Sequence, residues 1–398
     1  VNDTIRLGRI AGISIGVNWS VLAIAWLISW SLSGRLLPGQ VPGLSELAYW
    51  LVGVGVAVLF FASLLGHELA HAVVARRNGL EVEGITLWLL GGVAKLRGEA
   101  RTPGAEARIA IVGPLASLAV AGVSWLVATG LDSLALTDAA LLIVVAAQWL
   151  TVVNIVLAVF NLLPGAPLDG GRVARAVVWA IQGDRLTATR VASLLGRLLG
   201  YGLALFGVVE IVVGTDLGGL WSIVLGFFLA GAAGVERRQA EILDALDGVP
   251  VAAVMMADPP VAPGSLTIDA FIDHALPGTR TSTWLITGPD GTAVGVLGLE
   301  RLSKLGQHAE RELRLADLAT PITELARTTP DEPLVDLLER VDLEETGARA
   351  VVVRDGRVVG LVLPEDIARA IEVGRLGPRA GRGAGRPTGS AARDQAPR

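Results

Sequence analysis

Six long apolar stretches with almost no charged side chain dominate this sequence, at 17–33, 47–66, 109–131, 139–163, 192–213 and 217–235. A helix needs roughly 18–20 such residues to cross about 30 Å of hydrocarbon. Within lipid the backbone has no water to bond to, so a segment of this kind must satisfy its own N–H and C=O groups as a helix. Each stretch is therefore expected to span a membrane, and the second is expected to continue as helix past Gly66. The fifth is the weakest, because Arg197 and Glu210 interrupt it. Of the 398 residues, 52% are hydrophobic and only 18% charged, against about a quarter charged in soluble domains. No small-residue cleavage site follows the first apolar run, which is read as a retained helix rather than a signal peptide.

Basic residues collect on the cytoplasmic side of a membrane protein. Here Arg6 and Arg9, then Arg76, Arg77, Lys95, Arg97, Arg101 and Arg108, then Arg172, Arg175, Arg185 and Arg190, then Arg237 and Arg238 fall in connections on one side; the other side has only Arg35. The expected arrangement is a multi-pass plasma-membrane protein with its N-terminus, C-terminus and everything after residue 236 in the cytoplasm. The net charge of −5 argues against nucleic acid as a partner. With no cysteine, neither disulfides nor thiolate metal sites are available.

Between the second and third stretches, Ile85–Leu90 is β-prone and Val93–Leu96 resumes alternation, with Gly91-Gly92 read as a two-residue turn. Such a hairpin offers an edge to an extended peptide or simply packs on the bundle. From about residue 245 the composition becomes that of a soluble α/β region. Two segments share an order of Pro-containing leader, helix, β-run, turn, β-run and helix, an approximate repeat that implies two small modules packed together. The stretch 377–398, rich in Gly, Ala, Pro and Arg, is expected to be disordered.

Only four histidines occur, His67, His71, His274 and His308. The first two belong to His67-Glu68-Leu69-Ala70-His71. On a helix, positions i and i+4 share a face, so both imidazoles can reach one ion. Glu68 sits beside the first ligand, where it can take a proton from water without ligating. Neutral imidazole suits zinc, which lowers the pKa of bound water to about 7. The segment lies one to two turns inside the membrane boundary marked by Arg76-Arg77, where solvated histidines and an acid are out of place. Mutual packing of the two histidines is the alternative. A third ligand is found in Asp169, the first acid after thirty uncharged residues, which charge distribution puts at the same membrane face. Pro164 and Pro167 end the preceding helix, and Gly170-Gly171 allow close backbone approach. Two histidines and one aspartate leave a fourth position open, as in catalytic zinc sites; the alternative for Asp169 is a helix cap. Asn161, eight residues earlier, is placed to donate to an oxyanion. Asn154, on roughly the same face, is expected to make an interhelical hydrogen bond.

These residues, together with Asn161-Leu162-Leu163-Pro164, Pro167-Leu168-Asp169-Gly170-Gly171, Gly91-Gly92 and Gly113-Pro114-Leu115-Ala116-Ser117, resemble the site-2 protease family of intramembrane metalloproteases. The likeness covers about residues 1–235. The second half resembles a tandem cystathionine-β-synthase (CBS) pair, as in the archaeal and bacterial branch of that family that includes mycobacterial homologues. The fold implied is a polytopic α-helical membrane protein of about six transmembrane helices with a C-terminal α/β tandem CBS domain: 1–240 the protease core, 245–312 and 313–376 the two CBS modules. The resemblance implies one zinc ion per chain, Glu68 as general base, Asn161 near the oxyanion, and single-pass membrane proteins as substrates, often anti-sigma factors already trimmed outside. CBS pairs commonly bind adenine nucleotides through an aspartate that Asp366 matches. Arg301, Gly298 and Leu363 depart from that pattern, so a ligand-free dimerisation or gating module remains the alternative, as does homodimerisation through the pair. The rival readings are a CBS-regulated ion transporter, disfavoured by the scarcity of acids in the apolar stretches, and a catalytically inactive binder of membrane proteins, disfavoured by the intact Glu68.

Overall fold

The computed structural model describes residues 5–88, 91–133, 137–214, 218–274, 281–304, 313–340 and 350–376. The tail 377–398 and His308 lie outside the described residues. The chain divides into two compact units, Val1–Glu241 and Ile242–Arg398.

The first unit begins with β1 (Ile5–Ile10), β2 (Ile13–Val17) and α1 (Ser20–Ser31), which continues through a π-helical turn (Leu32–Leu36) into α2 (Leu37–Gln40). Then come α3 (Glu46–Arg77), β3 (Glu81–Trp88), β4 (Gly91–Arg97), α4 (Pro103–Asp132), α5 (Asp138–Asn161), α6 (Asp169–Gln182), α7 (Arg185–Val213) and α8 (Gly218–Leu246). Among the described residues six helical segments are long and apolar enough to cross a membrane: Ser20–Gln40, α3, α4, α5, α7 and α8. Helices α3, α4, α7 and α8 extend beyond their apolar runs, because polar flanks supply caps and extra turns. Ser45, Thr102 and Thr137 accept from the N–H groups of Ala48, Ala105 and Ala140, and Asp184 accepts from Leu186 and Thr187. These side chains satisfy N–H groups that the helices cannot satisfy themselves. At 32 residues, α3 is about 48 Å long and overshoots the hydrocarbon, so its basic end projects.

Large apolar side chains such as Leu51, Val58, Leu126, Val156, Leu205 and Phe227 are exposed, as lipid-facing residues are. Helix contacts rest instead on small residues that let backbones approach. A Cβ on Gly200 would strike Gly226 and Ala230, and one on Gly207 would strike Gly219, so α7 and α8 touch backbone to backbone. At the centre α4 packs on α3, α5 and α6.

β1 and β2 were not foreseen from the sequence. They join β3 and β4 in one sheet, ordered β1-β2-β3-β4, with β2 parallel to β3. Ala11 and Gly12 turn the first hairpin with φ of 51° and 77°, the left-handed pair that matches strand twist. Ile13, Ile15, Ile85 and Leu87 bury one face against Leu64 and Ala72 of α3. The second hairpin corrects the sequence reading. Gly91 and Gly92 are not its turn but the first residues of β4, paired with Trp88 and Leu87; residues 89–90, which connect the strands, lie outside the described residues.

Among the described residues the second unit forms two four-stranded sheets. One joins β6 (Val261–Pro263), β7 (Thr283–Thr287), β8 (Ala293–Gly298) and β9 (Thr320–Pro321); the other joins β10 (Ala326–Thr328), β11 (Ala350–Arg354), β12 (Arg357–Val362) and β5 (Met256–Ala257). In each, the first pair is parallel and the next two antiparallel. The short leader strands are exchanged: β5 precedes the first copy yet pairs with the second, and β9 does the reverse. A division at 312/313 therefore does not separate the two sheets. Strand alternation turns Trp284 and Ile286 towards helical cover, with Phe271 and Leu315. It turns Leu285 and Val296 towards Val351 and Leu361 of the other sheet.

An ion-pair network ties three helices of the first unit together. Arg175 of α6 donates through Nε to Glu106 of α4 at 2.5 Å and through a terminal nitrogen to Glu236 of α8 at 2.7 Å. Glu106 is 1% exposed. Removing the shared cation strands a buried acid, which typically costs about 3–5 kcal/mol. Arg175→Met should lower unfolding stability in detergent by that order, and Arg175→Lys by less, as read by thermal unfolding.

Candidate metal centre

The three expected ligands are brought together from two helices distant in sequence. His67 and His71, one turn apart on α3, have their Nε2 atoms 3.1 Å apart. Asp169 Oδ2, at the first residue of α6, lies 3.1 Å from each of them. All three residues are buried, at 3%, 6% and 9% exposure. The outer ring nitrogens are held by α4. His71 Nδ1 lies 2.6 Å from the Ile109 carbonyl, and His67 Nδ1 lies 2.9 Å from Ser117 Oγ. A carbonyl only accepts, so His71 carries its proton on Nδ1 and, when neutral, turns a lone pair on Nε2 inward; a bond from His67 Nδ1 to the hydroxyl does the same there. Such outer partners orient metal-ligating histidines.

The donor set fits a divalent ion. Two imidazole nitrogens and one carboxylate oxygen converge on a common point. Tetrahedral zinc with bonds of about 2.0–2.1 Å requires its ligand atoms about 3.3–3.4 Å apart, close to the separations seen. Among the described residues no other group of three or more such side chains converges in this way.

Glycines make the convergence sterically possible. A Cβ on Gly113 of α4 would fall on the inner edges of both imidazoles. Pro114, the next residue, has no N–H for the preceding turn and crowds it, and Ile109 in that region accepts from His71. On the Asp169 side, Gly170 packs on the Leu162 and Leu163 carbonyls, Gly171 on Gly165 and Ala166, and Gly196 of α7 on Ala166. Ala166 N–H donates to the Ala192 carbonyl at 3.0 Å, locking this connection to α7. Asp169 thus does begin a helix, and its carboxylate faces the histidines.

Glu68 does not join the cluster of ligand atoms. One residue on from His67, it is turned about 100° around the helix and reaches β4, where a Cβ on Gly92 would overlap its side chain. Gly92 matters as a point of close approach, and Gly91 beside it has φ of 140°, open to glycine alone. Asn161, the last residue of α5, donates to its own Leu157 carbonyl at 3.0 Å and makes no hydrogen bond to the cluster. Asn154 is fully buried and donates to Leu150 within α5, while its Oδ1 has no partner. The expected interhelical bond is absent: the amide NH2 is drawn one turn back on its own helix, and the Oδ1 reaches no other helix. In the second unit, Asp366 accepts from the Leu363 N–H at 3.3 Å as a cap on the helix Pro364–Leu376. Burial, with neighbouring Glu365 adding to it, raises its carboxyl above the ordinary aspartate range. His274 is exposed. Ile109 and Glu106 were missed from sequence, since a backbone acceptor carries no residue signature and a lone acid at a helix start reads as a cap.

Residues 55–203 match Peptidase family M50. The chain is 43% identical over 376 residues to Rip3 of Mycobacterium tuberculosis, named a zinc metalloprotease, covering 94% of this chain and 95% of that one. The chain belongs to peptidase family M50. A protein of Synechocystis, sll0528, also named a zinc metalloprotease, is 30% identical across 94% of this chain and 96% of its own. The solved site-2 protease of Methanocaldococcus jannaschii is 25% identical, covers 59% of this chain and 95% of that structure, and has a TM-score of 0.40.

Two substitutions separate the roles of the glycines in this M50 site. Gly113→Ala, by pushing the imidazoles apart, should abolish zinc retention measured by inductively coupled plasma mass spectrometry. Gly92→Ala should leave zinc bound but lower cleavage at least tenfold, because it displaces only Glu68.

Proposed function

We propose that this chain, a multi-pass zinc metalloprotease of peptidase family M50, cuts transmembrane segments of single-pass membrane proteins with zinc held by His67, His71 and Asp169. The observation that carries the assignment is the triangle of three ligand atoms at 3.1 Å, with Glu68 on the same helix. Zinc bound by these donors would supply Lewis acidity towards a carbonyl oxygen and bring the pKa of water down to about 7. Glu68 acts as general base: its carboxylate takes the proton of the attacking water and returns it to the leaving amine. Gly92 keeps that carboxylate beside β4.

Helical peptide bonds are shielded by their own hydrogen bonds, so a substrate must first be extended. β4 is an edge strand, and edge strands pair readily with extended peptides. A substrate strand laid along Gly91-Gly92 would pass beside Glu68, and the absence of side chains there lets a backbone come close. Asn161 would donate to the oxyanion after releasing its bond to Leu157, a rotation open to a residue at a helix end. Anti-sigma factors trimmed outside the membrane are the substrate class that the resemblance suggests.

The second unit acts as a tandem CBS module placed in the cytoplasm, as the distribution of arginines favours. Its two sheets of matching topology with exchanged leaders support the pairing of two repeats. An adenine nucleotide at Asp366 and dimerisation through this unit belong to the same reading.

Purified protein in proteoliposomes with a single-pass substrate tests the assignment. Glu68→Gln should keep about one zinc per chain while cleavage falls by about 10²–10⁴. Asp169→Ala should lose both zinc and cleavage; retention of both would remove the basis of this assignment.

A further inference from the structure

A second polar feature of the membrane unit has no part in hydrolysis. A cleft of about 600 Å³ opens between α7 and α8, lined by Arg197, Tyr201, Phe227, Arg237, Arg238 and Glu241. Gly231 and Gly234 also line it, and a Cβ at either would meet nothing within 4 Å, so the space beside α8 is open. Charge in the cleft is unbalanced. Glu241 is already shared between Arg237 at 3.1 Å and Arg190 at 3.3 Å. Neither Arg197 nor Arg238 has an acidic partner among the described residues. The Arg197 guanidinium lies 6.0 Å from the Tyr201 ring centre.

The placement is that of a membrane boundary. Gly200, less than one turn beyond Arg197, meets Gly226 and Ala230 of α8. Arg197 is therefore level with the stretch of α8 just before Glu236-Arg237-Arg238, where its apolar run ends. Beyond Arg197, α7 carries no ionisable residue but Tyr201 until Glu210. Exposed Phe227 and Val235 flank the opening with apolar surface. A guanidinium at this depth calls for an anion, and its planar fork suits phosphate. Basic pockets between transmembrane helices at this level receive anionic lipid head groups.

We propose that this cleft binds an anionic phospholipid, with its phosphate on Arg197 and Arg238 and its acyl chains along Phe227 and Val235. The neutralised Arg237–Glu241 pair forms the polar rim. A soluble phosphate would find the same cations but would gain nothing from the apolar walls.

The test uses full-length protein in nanodiscs of phosphatidylcholine with or without phosphatidylglycerol, with retained lipid read by native mass spectrometry. Wild type should retain phosphatidylglycerol over phosphatidylcholine. The double variant Arg197→Gln, Arg238→Gln should lose that preference by about thirtyfold, whereas Arg35→Gln should not. Arg197→Lys, Arg238→Lys should restore part of it, which shows that a fold capable of binding is retained. Glycerol phosphate or inorganic phosphate at millimolar concentration should not compete. Unchanged phosphatidylglycerol retention in the double glutamine variant overturns the proposal. So does equal competition by the soluble phosphates, which would make the ligand a soluble anion.

Discussion

The site depends on a break in helical structure that is packed tightly enough to exist beside lipid. Asp169 follows the seven residues 162–168 that return the chain from α5 to α6. Irregular backbone is tolerated at such depths only where protein surrounds it and its polar groups are paired. Here the pairing is local and complete enough to hold: Gly165 N–H reaches Leu163, Leu168 N–H reaches Gly165, Gly171 N–H reaches Leu168, and Ala166 reaches across to Ala192. Gly165, Gly170, Gly171 and Gly196 bring main chain against main chain, which side chains would prevent. The carboxylate is thereby fixed by backbone contacts rather than by rotamer preference.

The opposite half of the site is built on different principles. His67 and His71 ride on a regular helix, so their spacing is guaranteed by pitch, and the remaining freedom is ring rotation. α4 removes it, with Ser117 and Ile109 holding the outer nitrogens and Gly113 admitting the inner ones. The same pitch turns Glu68 away from the ligand atoms and onto β4. The Glu68 carboxylate is thus kept near the ligand atoms without joining them, and it stands beside β4 at the sheet edge. Helix, broken connection and strand edge each contribute one component that the others cannot supply.

The spans were legible because lipid enforces one solution for an apolar run, and Asp169 because an acid after thirty uncharged residues has few other reasons to be there. The partners that orient the histidines were only half visible: Gly113 and Ser117 stood in a motif, but the Ile109 acceptor is backbone. The N-terminal sheet was hidden because β1 is exposed along its whole length and shows no alternation in burial, while β2 is only five residues long. Gly91-Gly92 misled for a physical reason. A glycine pair has two common uses, turning a hairpin and admitting a close neighbour, and only the register with Trp88 and Leu87 distinguishes them. The exchange of β5 and β9 could not be read either, since a two-residue strand carries no pattern of its own.

The charged groups of the membrane unit fall into two environments with different physical demands. Glu106 and Arg175 are enclosed by α4, α6 and α8, where a charge persists only with its counter-charge beside it, and their pairing holds α6 at a fixed position six residues beyond Asp169. Arg197 and Arg238 lie at the rim, where the counter-charge is supplied from outside the chain. Enclosed pairs make a rigid frame that ties α6, and with it the ligand carboxylate, to its neighbours; rim cations anchor α7 and α8 to the leaflet. Since Gly196 and Ala192 of α7 clasp the connection that carries Asp169, the helix that meets lipid phosphate is also the helix that steadies the metal site.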